Sequence, residues 1–424
     1  MALTQSCDTS NKPEQKKGAT DAAALDGMPP VTSARMGLLP PYLASRINGN
    51  NDALRAAGVD VIDLGMGNPV DAVAPNVIAA LKESLDQPAN HRYTQATGIK
   101  PLKDAFARHY ARRFGVALDS EKEVVVSLGS KDAFSHLCLS LLGPQDACVL
   151  PVPAYAPHLY APQIAGAQVF SVFMEEETPG AHLLASIKST LETKQPRPKF
   201  LILNFPHNPT AKTVDLAFFE EVVAMARSMK FWVLNDLAYG HSCFDGYKAP
   251  SILQAKGARD VAVEMFTMSK PYSMAGWRVG FLTGNRVLIE SLIKIKPYFD
   301  YGHFQCIQLA AAVALDTGDE FIAQQASIYQ RRRDVLLGGL EKNGWGKTIK
   351  NRGTMFSWQP IPKRLQALGS LEFCMKLARE TGVSFFPGAG FGVEGEGYVR
   401  MALVETDARI QEACTRIGKF LSAC

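Results

Sequence analysis

The hydrophobic and polar positions of the chain switch between two periods from residue 123 onward. Short apolar runs of strand length alternate with longer segments in which apolar residues recur every three or four positions. Strands that alternate with helices predict βαβ units, so we expect an α/β fold whose mostly parallel sheet has helices on both faces. The predicted strands lie at 123–129, 146–153, 168–174, 198–205, 231–236 and 260–270, and the predicted helices at 130–142, 182–194 and 216–230.

The C-terminal part follows a different pattern. A long polar helix is predicted at 320–345, and helical segments then separate three short apolar strands at 354–361, 383–388 and 398–404. This order of elements predicts a smaller α+β domain. We therefore expect four parts: a disordered tail at 1–30, an N-terminal arm at 31–68 packing with the small domain, a large ligand-binding domain at 69–304, and a small domain at 305–424.

Composition and charge exclude several classes of protein. The 424 residues are 47% hydrophobic, enough for a substantial core, and the formal net charge of +4 argues against a nucleic-acid or anionic-membrane partner. The apolar stretches are shorter than the roughly 18 residues that a membrane span needs. Residues 1–20 contain no apolar stretch and no arginine, unlike a signal or transit peptide. Eight scattered cysteines without a C-x-x-C pair are typical of a reduced protein, so we expect a cytoplasmic location.

The loops that follow the predicted strands hold an unusual set of polar residues. In an open α/β sheet, ligands bind at the carboxyl ends of the strands. In "LGSKDAF" a glycine, Ser130 and Lys131 open a helix, an arrangement that suits an anion, although an N-cap serine explains the motif alone more simply. The remaining loop residues of this kind are Tyr155, Asn208, Asp236, Tyr239, Thr267, Ser269 and Lys270.

Each of these residues also has an ordinary structural explanation. Asp236 could cap a turn, a loop tyrosine or asparagine could hydrogen-bond locally, and Lys270 could be a surface lysine. Pyridoxal 5'-phosphate, however, requires the whole set at once: a lysine for its Schiff base, an acid for its pyridinium nitrogen, donors for its phenolic oxygen and a cationic cup for its phosphate. The set as a whole therefore indicates a pyridoxal-phosphate site.

Eight sequence blocks carry a resemblance to a known family. "TMSKPYSMAGWRVG" resembles the lysine signature of the class I/II aminotransferases, and seven further blocks are similar to the family's in the same order: "LGMGNPV", "HRYTQATGIKPL", "LGSKDAF", "FPHNPT", "NDLAYG", "FFPGAGFG" and "YVRMALVE". The resemblance spans nearly everything from Leu38 onward. It implies a fold type I enzyme with a seven-stranded, mostly parallel sheet, and the blocks are most like those of bacterial alanine aminotransferases, which use glutamate and pyruvate.

The resemblance implies a role for each residue around the ring of the cofactor. Lys270 would bind the cofactor covalently and then move the substrate's α-proton as general base and acid. Asp236 would face the pyridinium N–H, while Asn208 and Tyr239 would hydrogen-bond the phenolic oxygen. Tyr155 matches the aromatic residue that stacks on the ring, with an ordinary packed tyrosine as the alternative.

A second group is implied to bind the phosphate. Its members in this subunit are Ser130, Lys131, Thr267, Ser269 and Arg278. Tyr93 matches a tyrosine that reaches the phosphate from the neighbouring subunit. The resemblance therefore implies a homodimer with active sites at the interface.

Substrate binding is implied for Arg400, Gly67 and Tyr42, with Asn208 beside them. A guanidinium between apolar strand residues is costly without a partner, and the resemblance assigns Arg400 to the substrate α-carboxylate; a structural salt bridge is the alternative. Gly67 matches a backbone donor to the same carboxylate. Tyr42 matches a tyrosine of the N-terminal arm near the substrate.

Three positions depart from the family pattern. Thr267 stands where serine or glycine is usual, and Pro271 follows the lysine where serine or threonine is more usual. "AYAP" around Tyr155 replaces the order "SYP". Because Thr267 keeps a hydroxyl and the charged residues are all present, we expect the chemistry to survive.

The sequence thus predicts an aminotransferase that works by ping-pong chemistry, with L-alanine and 2-oxoglutarate as substrates and pyruvate and L-glutamate as products. Transaminases of valine, methionine or diaminopimelate-like substrates, and a C–S β-lyase, would use the same cofactor residues and are the alternatives. A ligand-sensing transcription regulator needs a DNA-binding module ahead of the domain, and the N-terminal residues lack its periodic apolar pattern. No metal is expected, because no H-E-x-x-H motif is present; His158 and His207 are expected to hydrogen-bond instead.

Overall fold

The computed structural model describes residues 32–175 and 178–423, so the tail predicted at 1–30 lies outside the described residues. The helices are α1 (Leu43–Ala56), α2 (Pro75–Leu85), α3 (Lys100–Phe114), α4 (Ser130–Leu141), α5 (Ala156–Ile164), α6 (Ala181–Thr193), α7 (Leu216–Met229), α8 (Ala258–Val261), α9 (Arg286–Ile295), α10 (Gln305–Thr317), α11 (Asp319–Lys342), α12 (Gly369–Thr381) and α13 (Asp407–Ala423). The strands are β1 (Ile62–Asp63), β2 (Val124–Ser127), β3 (Ala147–Val152), β4 (Gln168–Phe173), β5 (Phe200–Leu203), β6 (Trp232–Asp236), β7 (Ala262–Thr267), β8 (Gly280–Gly284), β9 (Phe356–Pro360), β10 (Val383–Ser384), β11 (Phe386–Pro387) and β12 (Tyr398–Ala402). No helix in these ranges is both long and apolar enough to cross a membrane.

A seven-stranded sheet organises the larger part of the structure. Its strand order is β2-β8-β7-β6-β5-β3-β4. The strands from β7 through β4 pair in parallel, whereas β8 runs antiparallel to both β7 and β2. The prediction of a seven-stranded, mostly parallel sheet is confirmed, and its carboxyl edge carries the polar loops.

Both faces of this sheet are covered by helices, as parallel sheets require. Alternate residues of β2 point to opposite faces: Val124 and Val126 join the core under α3, α6, α7 and α10, and Val125 joins the core under α4, α5 and α9. The strands are therefore mostly apolar along their length. An exception is Glu264 within β7, which is fully buried and accepts hydrogen bonds from Tyr110, Asn235 and Ser251.

A second, smaller unit contains two short sheets. Strands β11, β12 and β9 form an antiparallel sheet, and β1 pairs in parallel with β10. The segment 383–388, predicted as one strand, is thus two strands in different sheets. Helix α11 ends at Lys342, before the predicted end at 345, and packs with α12 and α13 on this unit's own core. The boundaries proposed at 31–68, 69–304 and 305–424 stay predictions.

Candidate active site

A cavity of about 1060 Å³ lies at the carboxyl edge of the large sheet, where it meets the smaller unit. Every site residue predicted from the sequence lines it except Tyr93. The residues come from the ends of six strands (β1, β2, β3, β5, β6 and β7), from β12, from the segment before β8 and from the segment before α1, and they lie up to several hundred positions apart in the chain. The fold therefore brings the predicted constellation together.

Lys270 follows β7, and its amine faces the loop after β1. Nζ donates a hydrogen bond to the carbonyl oxygen of Gly67 at 2.8 Å. Burial lowers the pKa of Lys270 to about 8, and the positive charges of Arg400 and Arg278 act in the same direction. A lysine with this pKa keeps a neutral, nucleophilic fraction near neutral pH.

Asp236 is the last residue of β6 and is 5% exposed. Its Oδ2 lies 3.1 Å from Nε2 of His158 on α5, and its Oδ1 accepts the backbone N–H of Ala238 at 3.0 Å. These partners compensate the burial of the carboxylate. His158 hydrogen-bonds as expected, and so does His207, whose Nδ1 lies 2.7 Å from Oγ1 of Thr210.

The loop after β5 is held by an asparagine that the sequence analysis did not identify. Asn204 donates from Nδ2 to the carbonyl oxygen of Asp236 at 2.7 Å, and its Oδ1 accepts the backbone N–H of Asn208 at 2.9 Å. This fixes Asn208 beside Asp236. Tyr239 is buried next to them, and burial raises the pKa of its phenol, so the hydroxyl is a donor at neutral pH.

An anion-binding cup lies at the N-terminus of α4. Ser130 begins this 12-residue helix, and Gly129 before it has a φ of +87°. A Cβ at Gly129 would lie 2.2 Å from Nη2 of Arg278, so only glycine leaves room for the guanidinium. The hydroxyls of Thr267 and Ser269 lie 3.0 Å apart on the adjoining loop. Helix N–H groups, a guanidinium and two hydroxyls suit a phosphate.

Arg400 on β12 is 7% exposed and reaches across to the large sheet. Its Nη1 donates to Oδ1 of Asn208 at 2.9 Å, and its Nη2 donates to the carbonyl oxygen of Gly65 at 3.0 Å. Burial lowers its pKa to about 10, which leaves the guanidinium charged at neutral pH. Within the described residues no carboxylate forms an ion pair with Arg400, so the structure does not contain the alternative salt bridge.

The other three tyrosines predicted for the site occupy different positions. Tyr155 precedes α5 and meets the ring of His158 edge-on, with centroids 5.4 Å apart, and burial raises its pKa to about 12. Tyr42 is 58% exposed at the cavity mouth. Tyr93 lies outside the cavity, 88% exposed, with its ring 5.0 Å from that of Tyr301.

One acidic cluster elsewhere has the composition of a metal site. The ligand atoms of Asp132, His136 and Asp300 lie within 4.8 Å of one another. Lys296, fully buried, places Nζ 2.6 Å from Oδ1 of Asp300 and 3.8 Å from Oδ2 of Asp132. The lysine already supplies the positive charge that this cluster needs.

The residues of the cavity fit pyridoxal 5'-phosphate. A lysine with a lowered pKa, a buried and oriented carboxylate, donors such as Tyr239, and an anion cup beside Gly129 are the four chemical groups that the cofactor requires. Arg400 is in addition a buried guanidinium that has no carboxylate partner among the described residues.

Comparisons with known proteins point to one family. The sequence model for "Aminotransferase class I and II" matches residues 59–417. The chain is 43% identical to the glutamate-pyruvate aminotransferase AlaC of Escherichia coli K12, over 94% of this chain and 96% of that protein. It is 39% identical to an LL-diaminopimelate aminotransferase of Gloeobacter violaceus, over 91% of this chain and 97% of that protein.

The fold comparison agrees with this family, because the structure of an aminotransferase from Staphylococcus aureus superposes with a TM-score of 0.81 at 27% identity, covering 92% of this chain and 99% of that one. The substrate-bound structure of BacF from Bacillus subtilis superposes with a TM-score of 0.85 at 30% identity, covering 92% of this chain and 98% of that one. The family prediction is confirmed. The chain belongs to the class I and II aminotransferases, enzymes that depend on pyridoxal phosphate.

Proposed function

We propose that this enzyme transfers the amino group of L-alanine to 2-oxoglutarate, producing pyruvate and L-glutamate. The observation that carries the proposal is the substrate end of the cavity: Arg400 is available for one carboxylate, and the wall around it is apolar. The similarity to AlaC over nearly the whole chain supports the same substrates.

The cofactor residues would act as follows. When bound, pyridoxal phosphate supplies the electron-withdrawing ring that stabilises negative charge at the substrate Cα. We assign the proton transfer at Cα to the amine of Lys270, whose lowered pKa makes it a base near neutral pH. The carboxylate of Asp236 would accept a hydrogen bond from the pyridinium N–H and so keep the ring nitrogen protonated. Asn208 and Tyr239 would donate to the phenolic oxygen, and Tyr155 would cover the ring.

We assign the phosphate to the cup at the start of α4. Its cations are Lys131 and Arg278, and its hydroxyls are those of Ser130, Thr267 and Ser269. The lysines and arginines among the described lining residues are Lys131, Lys270, Arg278 and Arg400. The first three would be occupied by the cofactor and Arg400 by the α-carboxylate, so none is free for a substrate side chain.

This charge distribution favours alanine over diaminopimelate. The methyl group of alanine needs no polar partner, and residues such as Met66, Phe386 and Phe391 line the cavity near Arg400. The far end of diaminopimelate carries an amine as well as a carboxylate, and the amine needs an acidic partner when desolvated. Asp236, the acidic residue among the described lining residues, would be occupied by the cofactor. The second carboxylate of 2-oxoglutarate would depend on hydroxyl donors at the mouth, such as Tyr42, or on a second subunit. The N–H of Gly67 would donate to the α-carboxylate.

We also propose a homodimer in which Tyr93 of each subunit serves the phosphate cup of the other. Arg278 of the cup is exposed in the single subunit, as contact with a partner residue would require. Four aromatic residues are exposed at position 93 and in the segment 298–301: Tyr93 (88% exposed), Tyr298 (89%), Tyr301 (63%) and Phe299 (55%), and the rings of Tyr93 and Tyr301 lie 5.0 Å apart. Exposed apolar area of this kind marks a protein interface.

The described cysteines are all unpaired, which supports a reduced, cytoplasmic setting.

A substrate panel tests the assignment. The kcat/KM values for L-alanine, LL-diaminopimelate, L-valine and L-methionine with 2-oxoglutarate should be highest for L-alanine. A higher value for another amino acid would replace alanine as the substrate. Release of pyruvate and ammonia from a β-substituted amino acid without any oxo acid would instead favour a C–S β-lyase.

A further inference from the structure

Three phenylalanine rings surround the guanidinium of Arg400. The Cζ atom of Arg400 lies 3.9 Å from the ring centroid of Phe356, 4.8 Å from that of Phe391 and 5.1 Å from that of Phe386. All three rings are buried, at 2%, 3% and 8% exposure respectively. We call these three residues the aromatic cage.

The cage is built from the small antiparallel sheet. Phe386 lies directly opposite Arg400 in the register of β11 and β12, and Phe356 lies two positions along β9 from the residue opposite Arg400. Phe391 follows on the next loop, where its carbonyl oxygen accepts the backbone N–H of Ala154 at 2.8 Å. Arg400 and its cage therefore form one unit, attached to the large sheet beside Tyr155.

The cage encloses a charge that has no counter-ion among the described residues. The two hydrogen bonds of Arg400 go to neutral oxygens, of Asn208 and Gly65, and its buried Nε has no partner. An isolated buried cation is costly. The faces of aromatic rings attract a cation without neutralising it, and this attraction strengthens when water is excluded.

We propose that Phe356, Phe386 and Phe391 are positioning residues for the substrate carboxylate. They hold the guanidinium of Arg400 charged and shielded from water, so that the carboxylate of a 2-amino or 2-oxo acid is the counter-ion that completes the site. A counter-ion supplied by the protein would compete with that carboxylate, whereas the rings do not. This inference rests on the proposed role of Arg400 but does not depend on the identity of the substrate side chain.

Phe356 has further contacts that make it the most informative of the three to change. Its ring meets that of Tyr239 at 65°, with centroids 5.5 Å apart. A Cβ on Gly67 would lie 2.5 Å from its Cζ atom. The ring thus lies against Arg400, which is assigned to the substrate carboxylate, and against Tyr239, which is assigned to the cofactor's phenolic oxygen. It also lies against Gly67, whose carbonyl oxygen accepts a hydrogen bond from Lys270.

The test compares a charged ligand with an uncharged one of the same shape. Dissociation constants of propanoate and propanamide would be measured by titration of the cofactor-loaded enzyme, for wild type, Phe356→Leu and Phe391→Leu. We expect each substitution to weaken propanoate binding by about tenfold, because water admitted in place of the ring would weaken the attraction between the guanidinium and the carboxylate, and to change propanamide binding much less. With the amino acid substrate, KM should rise more than kcat falls.

Phe373→Leu is the matched control. Phe373 is fully buried in the core of the same unit, near Trp345 and Phe420 rather than Arg400. It should lower the melting temperature as much as the cage variants do and leave the propanoate dissociation constant unchanged. Equal loss of propanoate binding in Phe373→Leu, or no loss in Phe356→Leu, would overturn the proposal. Because propanoate lacks an amino group, failure of alanine as a substrate would not affect this result.

Discussion

Nε2 of His158 lies 3.1 Å from Oδ2 of Asp236, and both side chains are almost completely buried. The other carboxylate oxygen accepts the backbone N–H of Ala238. The two bonds leave little freedom for the carboxylate to rotate. His158 thereby sets the direction in which Asp236 presents its charge to the cavity.

Replacing this histidine should weaken cofactor binding more than it weakens the fold. Loss of a hydrogen bond to a charged group costs about 1.5–3 kcal/mol, so His158→Ala should raise the dissociation constant of pyridoxal phosphate by about tenfold or more. Equilibrium dialysis or fluorescence titration of the apoprotein measures this. His109→Ala is a suitable control, because His109 is equally buried and pairs with His241 outside the cavity. Equal loss of cofactor affinity in both variants would contradict the role of His158.

Covalent capture of the cofactor should depend on pH through Lys270. Burial and two nearby arginines lower its pKa from 10.5 to about 8, so the neutral amine becomes dominant as the pH rises through about 8. The rate at which the apoprotein develops the absorbance of lysine-bound cofactor should therefore rise between pH 6.5 and pH 9 and then level off. A rate that continues to rise through pH 10 would show that the pKa of Lys270 is not lowered, which would contradict this prediction.

The phosphate cup should be sensitive to a single methyl group at Gly280. A Cβ there would lie 2.4 Å from the backbone nitrogen of Ser130, so Gly280→Ala must displace the start of α4. Such overpacking costs about 1–3 kcal/mol, and the displaced N–H groups should bind the cofactor's phosphate more weakly. A Cβ at Gly276, four residues before Gly280, would meet nothing within 4 Å, so Gly276→Ala should change neither melting temperature nor cofactor affinity. Identical behaviour of the two variants would contradict this view of the cup.

Residue type and position singled out Lys270, Asp236 and Arg400, whereas their roles were implied by the family resemblance and stay predictions. Lys270, Asp236 and Arg400 each follow or interrupt an apolar run, where a charge is costly without a partner. The alternation of strand and helix placed most of them at one edge of the sheet. For the same reason the parallel strands were predicted within a few residues of their observed ends.

The aromatic cage and strand β8 could not be predicted in this way. Phe356 and Phe386 lie in short apolar strands, where a phenylalanine normally indicates a core position, and only the sheet register brings them to Arg400. Strand β8 (Gly280–Gly284) is short and bounded by glycine, so it has no clear period. Asn204 was missed because its hydrogen bonds depend on the turn that follows β5.

The absorbance spectrum of the cofactor-loaded enzyme, recorded before and after addition of L-alanine without an oxo acid, tests the central claim most directly. We expect L-alanine to convert the spectrum to that of the aminated cofactor with release of pyruvate, and 2-oxoglutarate to reverse the change. Lys270→Ala, folded to the same melting temperature, should show no conversion. A wild-type spectrum that L-alanine leaves unchanged, while another amino acid converts it, would contradict alanine as the substrate.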